Sequence, residues 1–478
     1  MKRLLSQYSY KYPAAMVYML QSTEYQVKPY LAWYGRVGSF SSVMKRRTLE
    51  KTSAARMLRL GLTLGILLQV IAGVALFKYG QNEGSLILQV AGILLVLVYP
   101  QTWARLVVLP LWLGKTLITD PKHRKQIAAS ELIFRDHPAV KIAVLGSYGK
   151  TTMKELLHTV LSAEKNVAAT PANKNVPVSH ALFARKLTGD EDVLVIEYGE
   201  GAPGDIPRFA KVTHPSLAVI TGLAPAHLDQ YPTFEAAAED LFSINQYVEP
   251  AEVYVNVEPL AVKPYVQSAN IKYDRHNVGD WTISHIKVDI DGTSFELIHG
   301  STHLKLKSGL IGAHQVGPLA TVAVIAHQLG VSDKAIERGI AQTTAFEHRM
   351  QARPLHGGWI LDDTYNGNIE GVKAGLEVLK TLQAKRKVYV TPGLVDQGVE
   401  TEYVHIEMGK AIAAANPDKV VLMQNSATEH IQKGLHDGGY NGSVQLEADP
   451  LDFYTNIEHF IAAGDLVLMQ NDWTDNYN

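Results

Sequence analysis

The stretch Val144-Leu145-Gly146-Ser147-Tyr148-Gly149-Lys150-Thr151-Thr152 constrains this chain more than any other part of it. It closes the run Val140 to Leu145, which has the apolar character of a strand, and precedes a helix-like segment from Met153 to Leu161. A strand, a glycine turn bearing Lys-Thr and a helix N-terminus together make a phosphate cradle. The glycines let backbone N–H groups face the anion, the lysine supplies charge, and a hydroxyl reaches Mg²⁺. The stretch therefore predicts an α/β fold that binds ATP with Mg²⁺. The common spacing G-x-x-x-x-G-K-[ST] would put a glycine at Val144, whereas the glycine present is Gly146, giving the shorter G-x-x-G-K-T-T.

At 478 residues and 46% hydrophobic content, the chain is long enough for two or three compact units. A formal net charge of -2 gives no reason to expect a nucleic-acid partner. The absence of cysteine excludes disulfides, a thiolate nucleophile and cysteine-ligated metal sites.

The near-neutral total hides an asymmetry. Residues 1–60 carry eleven Lys/Arg against two Glu, including Lys45-Arg46-Arg47. Leu60 to Phe77 and Ser85 to Trp103 are then free of charge, joined by the short link Lys78 to Gly84. Each is close to the roughly 20 apolar residues that span a bilayer, and neither has the place of a cleavable signal. The pair predicts an α-helical transmembrane hairpin, the competing reading being a buried hairpin in a soluble protein. Lys45, Arg46, Arg47, Lys51, Arg56 and Arg59 precede it; Arg105, Lys115, Lys122, Arg124 and Lys125 follow it. The positive-inside tendency puts both ends in the cytoplasm. Leu106 to Leu117, with Pro110 and Trp112, reads as an interfacial segment, giving a hairpin region of 57–125. The aromatic-rich basic arm 1–56 reads equally as a membrane-surface segment or a solvated arm.

From about residue 138, apolar runs at Ile142 to Leu145, Val193 to Ile196, Leu217 to Ile220 and Val253 to Val255 alternate with helix-compatible segments. This predicts a largely parallel sheet covered on both faces, with ligands at the carboxyl ends of its strands. Three candidates occupy such ends. Glu197 follows Val193-Leu194-Val195-Ile196 and suits Mg²⁺, a hard cation preferring oxygen. His227 comes soon after Leu217 to Thr221, and Asp363 closes Trp359 to Leu361.

The order of Lys150-Thr151-Thr152-Met153-Lys154-Glu155, Ile196-Glu197-Tyr198-Gly199, Pro203-Gly204-Asp205-Ile206 and Ala226-His227-Leu228 resembles the Mur ligase family. Within it, these motifs are most similar to the branch that adds D-alanyl-D-alanine to a UDP-N-acetylmuramoyl tripeptide. Asn175 in Thr170 to Pro177 resembles that family's Asn-containing loop, and Asp362-Asp363-Thr364-Tyr365-Asn366 its nucleotide-contacting Asp-Asp-Ser-Tyr-Asn element. Gly312-Ala313-His314-Gln315 and Arg349 complete the series.

The resemblance implies a central ATP-binding domain over 138–345 and a Rossmann-like C-terminal domain over 346–478, whose strands fall at Val388 to Val390, Val420 to Met423 and Leu466 to Met469. It implies that Gly146, Ser147, Tyr148, Gly149, Lys150, Thr151 and Thr152 hold the phosphates. His314, Arg349, Asp363, Tyr365 and Asn366 complete the nucleotide site, Thr151, Glu197 and His227 bind metal, and Lys150, Glu197, His227 and Asn175 act in catalysis. The implied chemistry is ATP-dependent activation of an acceptor carboxylate for attack by an amine. The acceptor would be a peptide or lipid-linked cell-wall precursor and the amine an amino acid or dipeptide, with the ligase domains facing the cytoplasm from a multi-pass membrane anchor. A poly-γ-glutamate or folylpolyglutamate-like ligase, or a non-catalytic ATP-binding membrane scaffold, are the alternatives.

The chain departs from the pattern at three places. The lysine that most members carbamylate would fall at Leu241, so a second metal site needs another ligand, Asp240 or Glu239. The hairpin region stands where the UDP-binding domain is usual. Gln470-Asn471-Asp472 replaces the Lys-Gly-Ser of the D-alanyl-D-alanine branch, and Gln315 replaces an Asn.

Overall fold

The computed structural model of the chain describes residues 5–471 except 24, 41–42, 44–48, 51, 172–173, 225–230, 232, 366, 396 and 398–399. It divides into two compact units, Met1–Lys125 and Gln126–Asn478.

The first unit is helical. Thr52 caps the 30-residue helix Ser53–Asn82 by accepting from the Ala55 N–H, and this helix is apolar and long enough to cross a membrane by length and composition. The second uncharged stretch is broken. Helix Leu86–Leu97 ends where Pro100 enters the next turn, and the chain bends by 53° there, so the pair makes a second span only if counted as one. Small residues form the seam between the two helices: Gly73 faces the Gly92 carbonyl and Val96, and Gly80 faces Leu88 and Gln89. Gln69 donates to the Leu95 carbonyl at 2.8 Å and accepts from the Trp103 indole at 2.8 Å. Large side chains such as Leu67, Leu68, Ile71, Ile87 and Leu94 point outward.

Residues 12–36 fold as helices Tyr12–Ser22 and Val27–Arg36. Their buried Tyr12, Met16, Leu20, Tyr30 and Tyr34 pack with Phe40, Leu62 and Ala104. Three of the arm's tyrosine hydroxyls donate to carbonyls around the break: Tyr8 to Leu97 at 2.6 Å, Tyr12 to Pro100 at 2.7 Å and Tyr30 to Ala104 at 3.1 Å. A helix interrupted by proline loses backbone partners, and these hydroxyls satisfy carbonyls beside the interruption.

The second unit holds two mixed sheets. The first contains β1 (Val140–Leu145), β2 (Val167–Ala169), β3 (Val193–Glu197), β4 (Leu217–Ile220), β5 (Val253–Asn256) and β6 (Ile271–Tyr273), followed by β7 (Asn277–Val278), β8 (Trp281–Asp289), β9 (Gly292–His299) and β10 (Thr302–Ser308). Their order is β10-β9-β8-β7-β6-β5-β4-β1-β3-β2, parallel from β2 to β6 and antiparallel beyond. Every residue of β3 and β4 is buried, as expected for strands covered on both faces. Helix Lys150–Leu161 packs against them through Met153, Leu156, Leu157, Val160 and Leu161, an apolar stripe at helical spacing.

The second sheet contains β11 (Gln351–Leu355), β12 (Gly358–Asp363), β13 (Arg386–Thr391), β14 (Lys419–Met423), β15 (Ser443–Glu447) and β16 (Asp465–Gln470). Its order is β11-β12-β16-β13-β14-β15, with only β11 antiparallel among these strands. Chain order reverses on either side of β1, which puts the mouth of a binding crevice at the carboxyl end of that strand.

Candidate active site

The phosphate loop leaves the carboxyl end of β1. Gly146 has φ 138° and Gly149 φ 74°, and a Cβ at Gly146 would run into the Thr221 hydroxyl and the Gly222 carbonyl. Both positions therefore require glycine. The loop is tied to the end of β4 by Ser147 N–H to Gly222 O at 2.9 Å and Thr221 N–H to Leu145 O at 2.9 Å. Lys150 bonds the Gly146 carbonyl through its Nζ and pairs with Glu200 Oε1 at 3.3 Å.

Glu197 sits at the end of β3 and is 2% exposed. Its Oε1 accepts from the Thr151 hydroxyl at 3.1 Å and from Asn175 Nδ2 at 3.3 Å. Its Oε2 is buried without a hydrogen-bond partner and lies 3.4 Å from the ammonium of the buried Lys154. The backbone on either side of this carboxylate is fixed: Glu197 N–H donates to Thr170 Oγ1 at 3.0 Å, and His180 Nε2 meets Glu197 O at 2.8 Å. Burial pushes the His180 imidazole down to about 4, so it is neutral and donates from Nε2.

These groups fit Mg²⁺ and the phosphates of a nucleotide. A buried carboxylate oxygen without a hydrogen-bond partner, a hydroxyl beside the same carboxylate and a lysine at a helix N-terminus are what a hard cation on a triphosphate uses. Among the described residues no three His, Asp or Glu side chains converge on one point. That suits Mg²⁺, which keeps waters and phosphate oxygens in its shell.

The loop opens onto a cavity of about 670 Å³ between the two sheets, lined in part by Tyr148, Thr152, His314, Arg349, Asp363 and Tyr365. This is the size of a cleft for one small ligand. The Arg349 guanidinium lies 4.5 Å over the Tyr365 ring. Asp363 accepts from Gln470 Nε2 at 2.7 Å and from the Met350 N–H at 3.1 Å.

Burial pushes the Asp363 carboxyl up to about 6, and those hydrogen bonds offset only part of the effect. The folded value lies above the usual carboxylate value of about 4, so the folded chain holds the proton more tightly than the unfolded chain does. Stability is therefore full below about pH 4 and falls as pH rises to about 6. Asp363→Asn should flatten this part of the stability profile. Denaturant midpoints compared at pH 4.5 and pH 7 test it, and an unchanged difference between the two would assign the slope elsewhere.

The structure thus brings Gly146, Ser147, Tyr148, Gly149, Lys150, Thr151, Thr152, Asn175 and Glu197 together around the carboxyl ends of β1 and β3. His314, Arg349, Asp363 and Tyr365 line the cavity that Tyr148, Gly149 and Thr152 also line. His227 and Asn366 lie outside the described residues. Several residues with no assigned role join the site. Arg275 donates to Glu258 at 3.1 Å and to Glu377 of helix Ile369–Thr381 at 2.7 Å, bridging the halves of the unit across the cavity. Lys154 and Glu200 flank Glu197 and Lys150. Nothing in the spacing of Arg275 distinguishes it, because its partners are distant in sequence.

Residues 144–326 match the Mur ligase middle domain, and residues 348–470 match the Mur ligase glutamate ligase domain. The chain belongs to the Mur ligase family. It is 28% identical over 291 residues to the UDP-N-acetylmuramoyl-tripeptide–D-alanyl-D-alanine ligase of Escherichia coli, covering 59% of this chain and 64% of that one. The Bacillus subtilis enzyme of the same name is 25% identical over 339 residues, covering 69% and 72%. The chain therefore spans less than two thirds of the length of the Escherichia coli relative. Among solved structures it resembles MurF from Acinetobacter baumannii, with TM-score 0.64 and 20% identity over 73% of this chain and 77% of that one. It also resembles the MurF ligase of Thermotoga maritima in complex with ADP, with TM-score 0.64 and 22% identity over 73% and 80%. At such identities the likeness speaks to the fold.

This Mur ligase departs from its family where the sequence shows it. Leu241 lies inside helix Phe234–Phe242, 1% exposed in the core with Ile206, Phe209 and Ala238. Glu239 is exposed. Asp240 accepts from the Gly204 N–H at 2.8 Å and the Tyr231 hydroxyl at 2.9 Å, so its carboxylate holds a neighbouring loop.

Proposed function

We propose that this Mur ligase is an ATP-dependent, ADP-forming amide ligase in peptidoglycan precursor synthesis. The observation that carries the reading is the buried Glu197 Oε2, without a hydrogen-bond partner and beside Lys154, next to Thr151 and the phosphate loop, whose Tyr148 and Gly149 line a cavity shared with Asp363 and Tyr365. ATP with Mg²⁺ supplies the phosphoryl group that turns an acceptor carboxylate into an acyl phosphate, which an amine then attacks with loss of phosphate. Lys150 holds the transferred group and offsets its charge, which is the main catalytic demand of such a step. Thr151 and Glu197 hold the cation, and Asn175 keeps the Glu197 carboxylate in register. Arg275 joins the halves of the unit across the cavity and so fixes the spacing between the phosphate loop side and the Asp363 side.

The acceptor in this reading is a cell-wall peptide presented at the membrane, lipid-linked or carried on a nucleotide, and the amine is an amino acid or a dipeptide. The first unit supports a membrane location: small residues line its helix seam while leucines and isoleucines face outward, an arrangement suited to lipid. ADP release that requires both a muramoyl-peptide acceptor and an amine tests the reading. ATP binding without release for any acceptor would leave the non-catalytic scaffold, which the apolar Leu241 favours. With no lysine at that position, turnover should be the same in decarbonated buffer and in added bicarbonate. Intact mass should show no carbamate, and a bicarbonate-rescued rate would contradict this.

A further inference from the structure

Gln470 ends β16, which runs between β12 and β13, and the residue is 1% exposed. A buried primary amide must find acceptors for its hydrogens and a donor for its oxygen. This one finds them all. Nε2 donates to the Gly371 carbonyl at 3.0 Å and to Asp363 Oδ2 at 2.7 Å, and Oε1 accepts from the Tyr389 hydroxyl at 3.0 Å. The Gly371 carbonyl can only accept, which fixes the end of the amide that carries the hydrogens. Helix Ile369–Thr381 makes room for the side chain with glycine: a Cβ at Gly375 would stand 2.3 Å from Nε2.

The residue these contacts serve is Asp363. Its Oδ1 accepts from the Met350 N–H at 3.1 Å, and its main-chain carbonyl from the Asn471 N–H at 3.1 Å. The carboxylate is thus clamped from both sides by neutral donors, each taking one lone pair of an oxygen that has two. The remaining lone pairs belong to a group that lines the cavity with Tyr148 and Tyr365. Apolar side chains would tie the same strands and helix together without a buried polar network, in which every member must be satisfied. A lysine in place of Gln470 would have donors alone, so it would leave the Tyr389 hydroxyl without this acceptor and would neutralise Asp363. The amide orients the carboxylate and leaves its charge in place. Above about pH 6 that group is ionised and can only accept, so the part of a ligand that meets it is a donor. A carboxylate repels phosphates, which leaves the nucleoside.

We propose that Gln470 is a positioning residue of the nucleotide site, holding the Asp363 carboxylate so that its free lone pairs meet a hydroxyl or amino donor on the nucleoside part of ATP. It acts through Asp363, whereas the phosphates belong to the loop at the carboxyl end of β1, in the other sheet. This rests on the ATP-ligase reading above.

Calorimetric titration of the full-length chain with ATP and Mg²⁺ and, separately, with inorganic triphosphate and Mg²⁺, at pH 7.5, tests it. Gln470→Met keeps the length of the side chain without its amide. It should weaken ATP binding on the order of tenfold, the usual worth of a hydrogen bond to a charged group. Triphosphate binding should stay native, which also shows that the variant folds. Gln470→Glu keeps an acceptor for Tyr389 while setting a second carboxylate against Asp363, and should show the same selective loss. In an Asp363→Ala background, Gln470→Met should cost less than about a further twofold, because the group it acts through has gone. Native ATP affinity in both single variants, equal weakening of ATP and triphosphate in a folded variant, or losses that multiply in the double variant overturn the proposal while leaving the ligase reading intact. A native chain that binds neither ligand overturns both.

Discussion

Lys150→Ala should lower acceptor-dependent ATP turnover by on the order of 10²–10³-fold, the usual effect of removing a preorganised donor from a developing charge. The lysine is the first residue of helix Lys150–Leu161 and lies behind Gly149, whose left-handed backbone turns the chain into the helix. Charge and helix N-terminus thus act on the same phosphate. The side chain bonds the Gly146 carbonyl and Glu200, so its loss removes no core packing. It does strand the Glu200 carboxylate in a largely buried position, which costs stability. The double variant Lys150→Ala, Glu200→Gln should therefore regain thermal stability without regaining turnover. Calorimetric titration with ATP and an ADP-release assay check both statements. A single variant with native affinity and native turnover would remove Lys150 from the mechanism.

The phosphate loop was legible because its chemistry is local: glycines, lysine and threonine must be adjacent for a strand to pass into a helix around an anion. Glu197 was legible for a related reason, a carboxylate ending an unbroken apolar run. Most parallel strands of both sheets also declared themselves as such runs, and β3 and β4 are buried throughout, whereas the short β2 and β6 and the exposed edge strand β15 did not. The antiparallel extension β7 to β10 was not anticipated. Its strands alternate buried and exposed residues, as in Trp281 to Ile283 and Leu304 to Ser308, and turn at Asp291-Gly292 and Gly300. That is a hairpin signal of period two, lost when only continuous runs are sought. Arg275 could not be read at all, because Glu258 and Glu377 reach it only through tertiary folding. Asp240 was read from its proximity in sequence to Leu241, whereas its helix turns it toward Gly204 and Tyr231.

The full-length chain should stay with membranes after alkaline carbonate washing, whereas a chain beginning at residue 126 should be soluble and still bind ATP. Helix Ser53–Asn82 has 30 residues, and only 17% of its apolar window is buried within the structure. A soluble protein would leave few leucines and isoleucines in such a position, because each costs on the order of 1 to 3 kcal/mol when kept in water rather than buried. In lipid the same surface is satisfied, and close packing at Gly73 and Gly80 holds the helices together without large side chains between them. In this proposal, the positive-inside tendency of Arg56 and Arg59 on one outer end and of Lys122, Arg124 and Lys125 on the other is expected to put both ends on the cytoplasmic side. The turn at Glu83 is then expected on the opposite side. Since the chain has no cysteine of its own, Glu83→Cys and His123→Cys each introduce a single label site. An impermeant maleimide should label the first in intact cells and the second only after the cells are opened. Labelling of both only after opening, together with full release by carbonate, would make the first unit a peripheral helical domain and take away the reason for a membrane-presented acceptor.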